Sequence, residues 1–327
     1  MRDVNFAMTQ TQKVRLKRAL QCLRDCSVAS SPVIVADTIP VNLEDNILKG
    51  HGTAELEGEV VATLCGAVER VNKLVLVRPF RARYKPEIGD IVVGRVIEVA
   101  PKRWRLDINF IQDAILMLSS MNLPDGIQRR RTAVDELNMR SIFEENDVIC
   151  AEVRGSQNDG SLHLQARSQK YGKLEKGQLL SVSPYLVKRR KQHFHYLEQY
   201  GVDLILGCNG YIWVGAHSDG GGKNEDFEDL SAKLEDKMEV EVSPLAPHKE
   251  EASSVPLGTR ENVCRLANAI RILSLLGFNI SMELILDTVV ASVTWNTTVR
   301  DMLGGEFYTR IAEREAERRS SKRATQV

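Results

Sequence analysis

The chain has 327 residues, is 43% hydrophobic and 27% charged, and carries 44 Lys+Arg against 44 Asp+Glu. This composition suits a globular protein of about two to three domains, and zero net charge excludes a uniformly basic surface, so any nucleic-acid contact must come from local patches. No apolar run approaches the roughly 20 residues of a membrane helix, the first residues lack a secretory h-region, and only Cys22 and Cys26 of the six cysteines lie close together, which fits small buried thiols better than a zinc site.

Residues 1–30 are expected to form a helical N-terminal extension. Val14, Leu16, Ala19, Leu20 and Leu23 give a partial apolar face, and Lys13, Arg15, Lys17, Arg18 and Arg24 supply charge. Ser30-Ser31-Pro32 ends it. Residues 31–84 read as a β domain, with β-branched runs separated by Gly, Pro and Asn. His51 lies between two glycines with no ligand partner at metal spacing, so it reads as a turn residue. Arg78, Arg81, Arg83 and Lys85 alternate along an extended exit from this domain.

Residues 85–168 alternate in five short runs that suit a small closed OB-type barrel. The opening Gly89-Asp90-Ile-Val-Val-Gly94-Arg-Val96 and the closing Asp159-Gly160-Ser-Leu-His-Leu-Gln-Ala-Arg167 look like an S1 domain. Lys102, Arg103 and Trp104 sit at the first turn, where cations beside an aromatic can hold a phosphate and stack a base. Packing of the Trp on the barrel end is the other reading. An insertion at 121–145 carries Arg129, Arg130 and Arg131 behind a Pro-Asp-Gly turn, suited to phosphates or to an acidic partner protein.

Residues 169–300 read as a KH-type α+β domain with C-terminal helices. Lys188, Arg189, Arg190 and Lys191 form the densest basic run and lead into His193, Phe194, His195 and Tyr196. Interleaved cations and rings are the composition of a single-strand contact surface. Gly207-Cys208-Asn209-Gly210 has the Gly-x-x-Gly spacing of the KH phosphate clamp. Its flanks, Leu204–Leu206 and Tyr211–Val214, prefer strands, and no cation lies inside it. The expectation is therefore a tight hairpin turn in which Asn-Gly takes left-handed backbone, with the clamp as the alternative. Residues 225–241 are rich in carboxylates and read as a solvated acidic segment. Two helices follow, the first capped by Thr259 and stopped by Gly277, the second capped by Ser281. Residues 301–327 read as a charged, fraying tail.

These pieces resemble the S1/KH cap subunits of the eukaryotic RNA exosome, of the ribosomal-RNA-processing type. The matching residues are Lys49-Gly-His-Gly52, Arg83-Tyr84 with Gly89-Asp90 and Val93-Gly94-Arg95, Lys102-Arg-Trp-Arg105, Leu116-Met117 with Asn122-Leu-Pro124, Asp135-Glu-Leu-Asn-Met-Arg140, Lys170-Tyr-Gly-Lys-Leu174 and Gly207-Cys-Asn-Gly-Tyr-Ile-Trp213. The resemblance implies a multidomain, mainly β fold with an N-terminal β domain, an S1 barrel and a KH domain. It implies a subunit without catalytic residues, metal or cofactor. Its partners would be RNase PH-like ring subunits, other exosome cap subunits and single-stranded RNA, with an associated 3′–5′ ribonuclease reached through the complex. The expected locations are nucleus, nucleolus and cytoplasm. A free-standing S1/KH RNA-binding protein and a ribonuclease with S1/KH appendages are the alternatives.

Overall fold

The computed structural model describes residues 8–26, 32–41, 48–122, 131–157, 160–168, 170–217 and 255–324. The chain opens with helix α1 (Gln10–Cys26), which buries Ala19 and Leu23. Six short strands follow: β1 (Pro32–Val33), β2 (Leu48–Lys49), β3 (Thr53–Leu56), β4 (Glu59–Ala62), β5 (Gly66–Val71) and β6 (Leu74–Pro79). Strands β1, β5, β6 and β2 make one sheet in that order, and β3 and β4 form a separate hairpin. The β-branched residues alternate inward, so Val33, Ile39, Val60, Ala62, Val68, Val75 and Val77 form one core.

From Ile91 the strands lengthen. Strands β7 (Ile91–Ala100), β8 (Arg103–Asp107) and β9 (Ala114–Met121) form a meander. Short helices α2 (Ala133–Leu137) and α3 (Met139–Ile142) lie in the insertion, and β10 (Val148–Ser156) and β11 (Leu162–Ala166) complete the set. Their order is β11-β9-β8-β7-β10, and β10 also pairs with β11, so the sheet closes on itself and leaves no open edge. Even-numbered residues of β8 and β9 point inward: Trp104, Leu106, Ala114, Leu116 and Leu118 are buried in the barrel core. The carboxylate of Asp135 accepts from the backbone N–H (2.8 Å) and the hydroxyl (2.9 Å) of Thr132, fixing the start of α2. Met139 and Phe143 then fold into the barrel core.

A two-residue strand, β12 (Gly172–Lys173), adds to β10 and leads into the next sheet. That sheet contains β13 (Gly177–Ser181), β14 (Phe194–Leu197), β15 (Val202–Leu206) and β16 (Tyr211–Ala216), ordered β13-β16-β15-β14 and antiparallel throughout. Helices α4 (Leu257–Leu276) and α5 (Met282–Thr294) follow. Helix α4 packs on β13, β15 and β16. The opposite face of the sheet sets Ile205 and Trp213 against Val93 and Cys150 of the barrel. Helix α4 begins one turn of sequence earlier than expected, with Pro256 rather than Thr259 at its N-cap. Proline is tolerated there because the N–H groups at a helix start have no partner within the helix, and Pro256 keeps an extended ψ of 144° outside it. Gly277 ends α4 in left-handed backbone, and the Ser281 hydroxyl accepts from the Leu284 N–H at the start of α5, both as expected.

Most of the expected tail is helix α6 (Gly305–Ala324). Phe307, Ile311, Ala312 and Ala316 are buried along it, and α6 packs against α1. Arg15 of α1 bridges Glu306 (3.0 Å) and Glu313 (2.6 Å) of α6. Residues Met1–Ala82 and Arg300–Val327 thus make one compact unit, and Arg83–Val299 the other.

Candidate nucleic-acid interface

The Gly207–Gly210 loop is the tip of the β15–β16 hairpin. The Gly210 N–H donates to the Gly207 carbonyl (3.1 Å) and the Gly207 N–H to the Tyr211 carbonyl (3.0 Å). That pattern is a three-residue hairpin loop closed by a left-handed glycine. Only Gly210 takes positive φ, at 85°; Asn209 does not, contrary to the expectation for the Asn-Gly pair. A Cβ on Gly210 would lie 2.4 Å from the Val182 carbonyl oxygen, and one on Gly207 would lie 2.4 Å from that of Tyr211. The two inner side chains point into the protein. Asn209 is wholly buried; its amide N–H groups donate to the Val93 (2.7 Å) and Ile108 (2.8 Å) carbonyls of the barrel. The Asn109 side chain donates to the Asn209 carbonyl (3.0 Å), and the Cys208 N–H to the Ile91 carbonyl (2.9 Å). The loop is a plug between sheet and barrel, with no face left to clamp a phosphate.

A polar seam continues from the plug. Arg189 donates Nε to Asp90 Oδ1 at 2.7 Å and Nη2 to Oδ2 at 3.0 Å, and reaches Glu87 at 3.1 Å. The Tyr84 hydroxyl (2.9 Å) and the Glu87 N–H (3.0 Å) donate to the same Asp90 carboxylate. Burial pushes the Asp90 carboxyl up, and the hydrogen bonds from Arg189, the Glu87 N–H and Tyr84 outweigh it, so the group titrates below its ordinary range. Cys208 Sγ lies 3.6 Å from His193 Nε2 and close to Asp90, a grouping that resembles a nucleophile and its base. Burial, then the Asp90 charge, pushes this thiol up to about 11, so it stays protonated at neutral pH and serves packing. His193 is 5% exposed, with Nδ1 2.7 Å from the Leu206 carbonyl, so it is a core histidine and leaves the set of RNA contacts. Arg189 leaves it as well, because its guanidinium is bound to Asp90.

Lys188, Arg190 and Lys191 are exposed. Arg189 also donates to the Lys85 carbonyl, which brings the exit segment at Lys85 beside the run. The two basic stretches are far apart in the sequence, and the Arg189–Asp90 pair joins them.

The second exposed surface is the outer face of β8 and β9, the face that OB-type barrels present to oligonucleotides. Arg103 pairs in register with Met117 and Arg105 with Ile115, all four pointing outward. Arg103, Arg105, Ile111, Gln112, Asp113 and Ile115 line a depression of about 410 Å³. Arg105 is held by Asp113 (2.6 Å) and Glu98 (2.8 Å), and these hydrogen bonds raise its already high pKa. Arg103 makes no ion pair among the described residues and is the cation this face offers. Lys102, at the turn, reaches Glu136 of α2 at 3.2 Å and remains mostly exposed.

Trp104 is not part of that face. Its indole is fully buried, Nε1 donates to the Phe143 carbonyl (3.2 Å), and its ring meets Phe143 edge-on at 5.3 Å. A strand alternates with period two, so a residue next to an outward arginine must point inward. Arg129 and Arg130 lie outside the described residues. Arg131 turns back to β9, donating Nε to the Leu118 carbonyl (3.1 Å) and Nη2 to that of Met121, so it anchors the insertion. Arg105, Ile111, Gln112 and Ile115 were absent from the sequence-derived candidates. The alternation of β8 and β9 carried the signal, since Arg105 is in phase with Arg103.

Two family models match the chain: one described as "RRP4, S1 domain" over residues 83–155, and one described as "KH domain" over residues 177–220. The chain is 60% identical over 326 residues to the "Exosome complex component RRP4 homolog" of Arabidopsis thaliana, covering 99% of both chains. It is 44% identical over 241 residues to the "Exosome complex component RRP4" of Mus musculus, covering 74% of each. It is 38% identical over 264 residues to that of Saccharomyces cerevisiae, covering 76% of this chain and 73% of the other.

Proposed function

The chain belongs to the Rrp4 family of exosome components, and from that premise we propose that it is an RNA-binding cap subunit that guides RNA and performs no cleavage itself. The observation that carries this is identity of 60% along 99% of the chain to an exosome component, with S1 and KH domains in the same sequence. The outer face of β8 and β9, with Arg103 and Lys102, supplies a cationic approach to single-stranded RNA. The exposed Lys188, Arg190 and Lys191 with Lys85 supply a second. The non-catalytic reading is supported by the two domain types, whose joint chemistry is recognition. Within the complex its partners are RNase PH-like ring subunits and other cap subunits, which it holds together, and RNA passes on to an associated 3′–5′ ribonuclease. The processing and decay this serves, ribosomal-RNA maturation included, take place in nucleus, nucleolus and cytoplasm.

The test is purification of the tagged full-length chain from its own cells, with identification of co-purifying subunits and a time course on labelled single-stranded RNA. Ring subunits should co-purify, and the chain freed of them should leave RNA intact with either magnesium or phosphate. Decay that follows this chain alone would overturn the proposal.

A further inference from the structure

Strand β14 is the edge of the KH sheet, and it carries two rings on one face. Phe194 pairs in register with Ile205, and Tyr196 with Asp203. Phe194 and Tyr196 therefore point to the side of the sheet whose centre packs on the barrel, about 6.6 Å apart along the strand. Each ring has a companion. The Tyr171 ring lies 6.0 Å from Phe194, and the Lys170 ammonium stands 5.6 Å and 5.8 Å from the Tyr171 and Phe194 ring centres. The His217 ring lies 4.3 Å from Tyr196, tilted by 37°, with Nδ1 fixed 2.9 Å from the Asp203 carboxylate. The row grades from half-buried to open: Phe194 and Tyr171 join the apolar cluster at the barrel, whereas Tyr196 is 37% exposed and His217 is also exposed. Lys170 makes no ion pair among the described residues, and its ammonium stands over both rings.

Core packing accounts for Phe194 and Tyr171. Tyr196 and His217 stack at an exposed sheet edge, with an ammonium at the other end of the row. A row of rings at two-residue spacing with one cation suits unpaired nucleobases, because every base has a π-face and the phosphate between two bases seeks a cation. We propose that Tyr196 with His217 and Phe194 with Lys170 form a second stacking platform, which takes two neighbouring unpaired bases of single-stranded RNA and lies apart from the outer face of β8 and β9. This rests on the RNA-binding reading above.

The experiment compares the full chain with Tyr196→Ala/His217→Ala at low salt. The probes are a single-stranded oligouridine of about twelve nucleotides and an abasic ribose-phosphate strand of equal length. The double variant should lose about fivefold to tenfold in affinity for oligouridine and nothing for the abasic strand, and Tyr196→Trp should keep full affinity. Unchanged oligouridine binding in the double variant, while Arg103→Glu weakens it, would overturn the platform and leave the RNA-binding reading standing. Equal losses on both strands would also overturn it, since the effect would then run through backbone or fold. Protection of Tyr196 and His217 by another subunit in the RNA-free complex, read by hydroxyl-radical footprinting, would overturn it in favour of a protein contact. If Arg103→Glu also changed nothing, the RNA-binding reading itself would fail.

Discussion

The tip of the KH hairpin and the outer face of β8–β9 both carry residues associated with RNA contact, and the fold uses them in opposite ways. At the tip, Cys208 and Asn209 are buried and bonded to the barrel. On the barrel face, Arg103 stands outside beside a depression of about 410 Å³. The difference comes from what flanks each motif. A Gly-x-x-Gly loop between two helices exposes its backbone N–H groups, whereas between two strands its N–H groups are used inside the hairpin and against the next domain. The tip should therefore respond to mutation as a core does, and the face as a surface does.

Gly210→Val should have the largest effect. The added Cβ meets a carbonyl oxygen at 2.4 Å in left-handed backbone that a β-branched residue resists. The expected loss is on the order of 4 kcal/mol, seen as insoluble protein or a much lower melting temperature. A normal melt with lost RNA binding would make the tip a binding loop after all. Asn209→Ala should come next, because it strips a hydrogen-bond donor from the Val93 and Ile108 carbonyls; about 2–3 kcal/mol is expected in chemical denaturation. A loss under ~0.5 kcal/mol would mean that the plug does little.

Asp90, at the same seam, makes the comparison dependent on pH. Its folded-state pKa is depressed, so its contribution is present above the unfolded value, about 3.9, and is lost as pH falls through the lower folded value. The stability gap between the parent chain and Asp90→Asn should be full at neutral pH and shrink progressively as pH falls below about 4. A gap that widened on acidification would contradict the Arg189–Asp90 pairing as its source. The smallest effect on stability belongs to Arg103→Glu. Melting should be unchanged, RNA affinity should fall, and the dependence of log affinity on log salt should become shallower by about one unit. An unchanged slope would place the RNA elsewhere.

The barrel was legible because its strands alternate cleanly and its ends carry paired S1 signatures. The hairpin was legible from the strand-forming flanks of Gly207–Gly210. Of the two readings of Trp104, packing in the barrel holds over base stacking, because it shares the inward phase of Leu106 and not that of its neighbour Arg103. His193 and Arg189 were hidden in the basic run because their partners, the Leu206 carbonyl and Asp90, are brought to them only by folding. Helix α6 reads as a tail in the sequence because charge dominates its composition. The spacing of Phe307, Ile311, Ala312 and Ala316 fits one helical stripe, and α1, which packs on α6, lies almost the whole chain away in sequence.

The proposed path of RNA runs along the outer face of β8–β9 and not over the Gly-x-x-Gly loop. Its most direct test is photocrosslinking of a 4-thiouridine single-stranded RNA to the assembled complex, with the crosslinked peptides sequenced. Crosslinks should include the segment from Lys102 to Met117, with none on residues 207–210. Crosslinks concentrated at Cys208 or Asn209 would contradict the account.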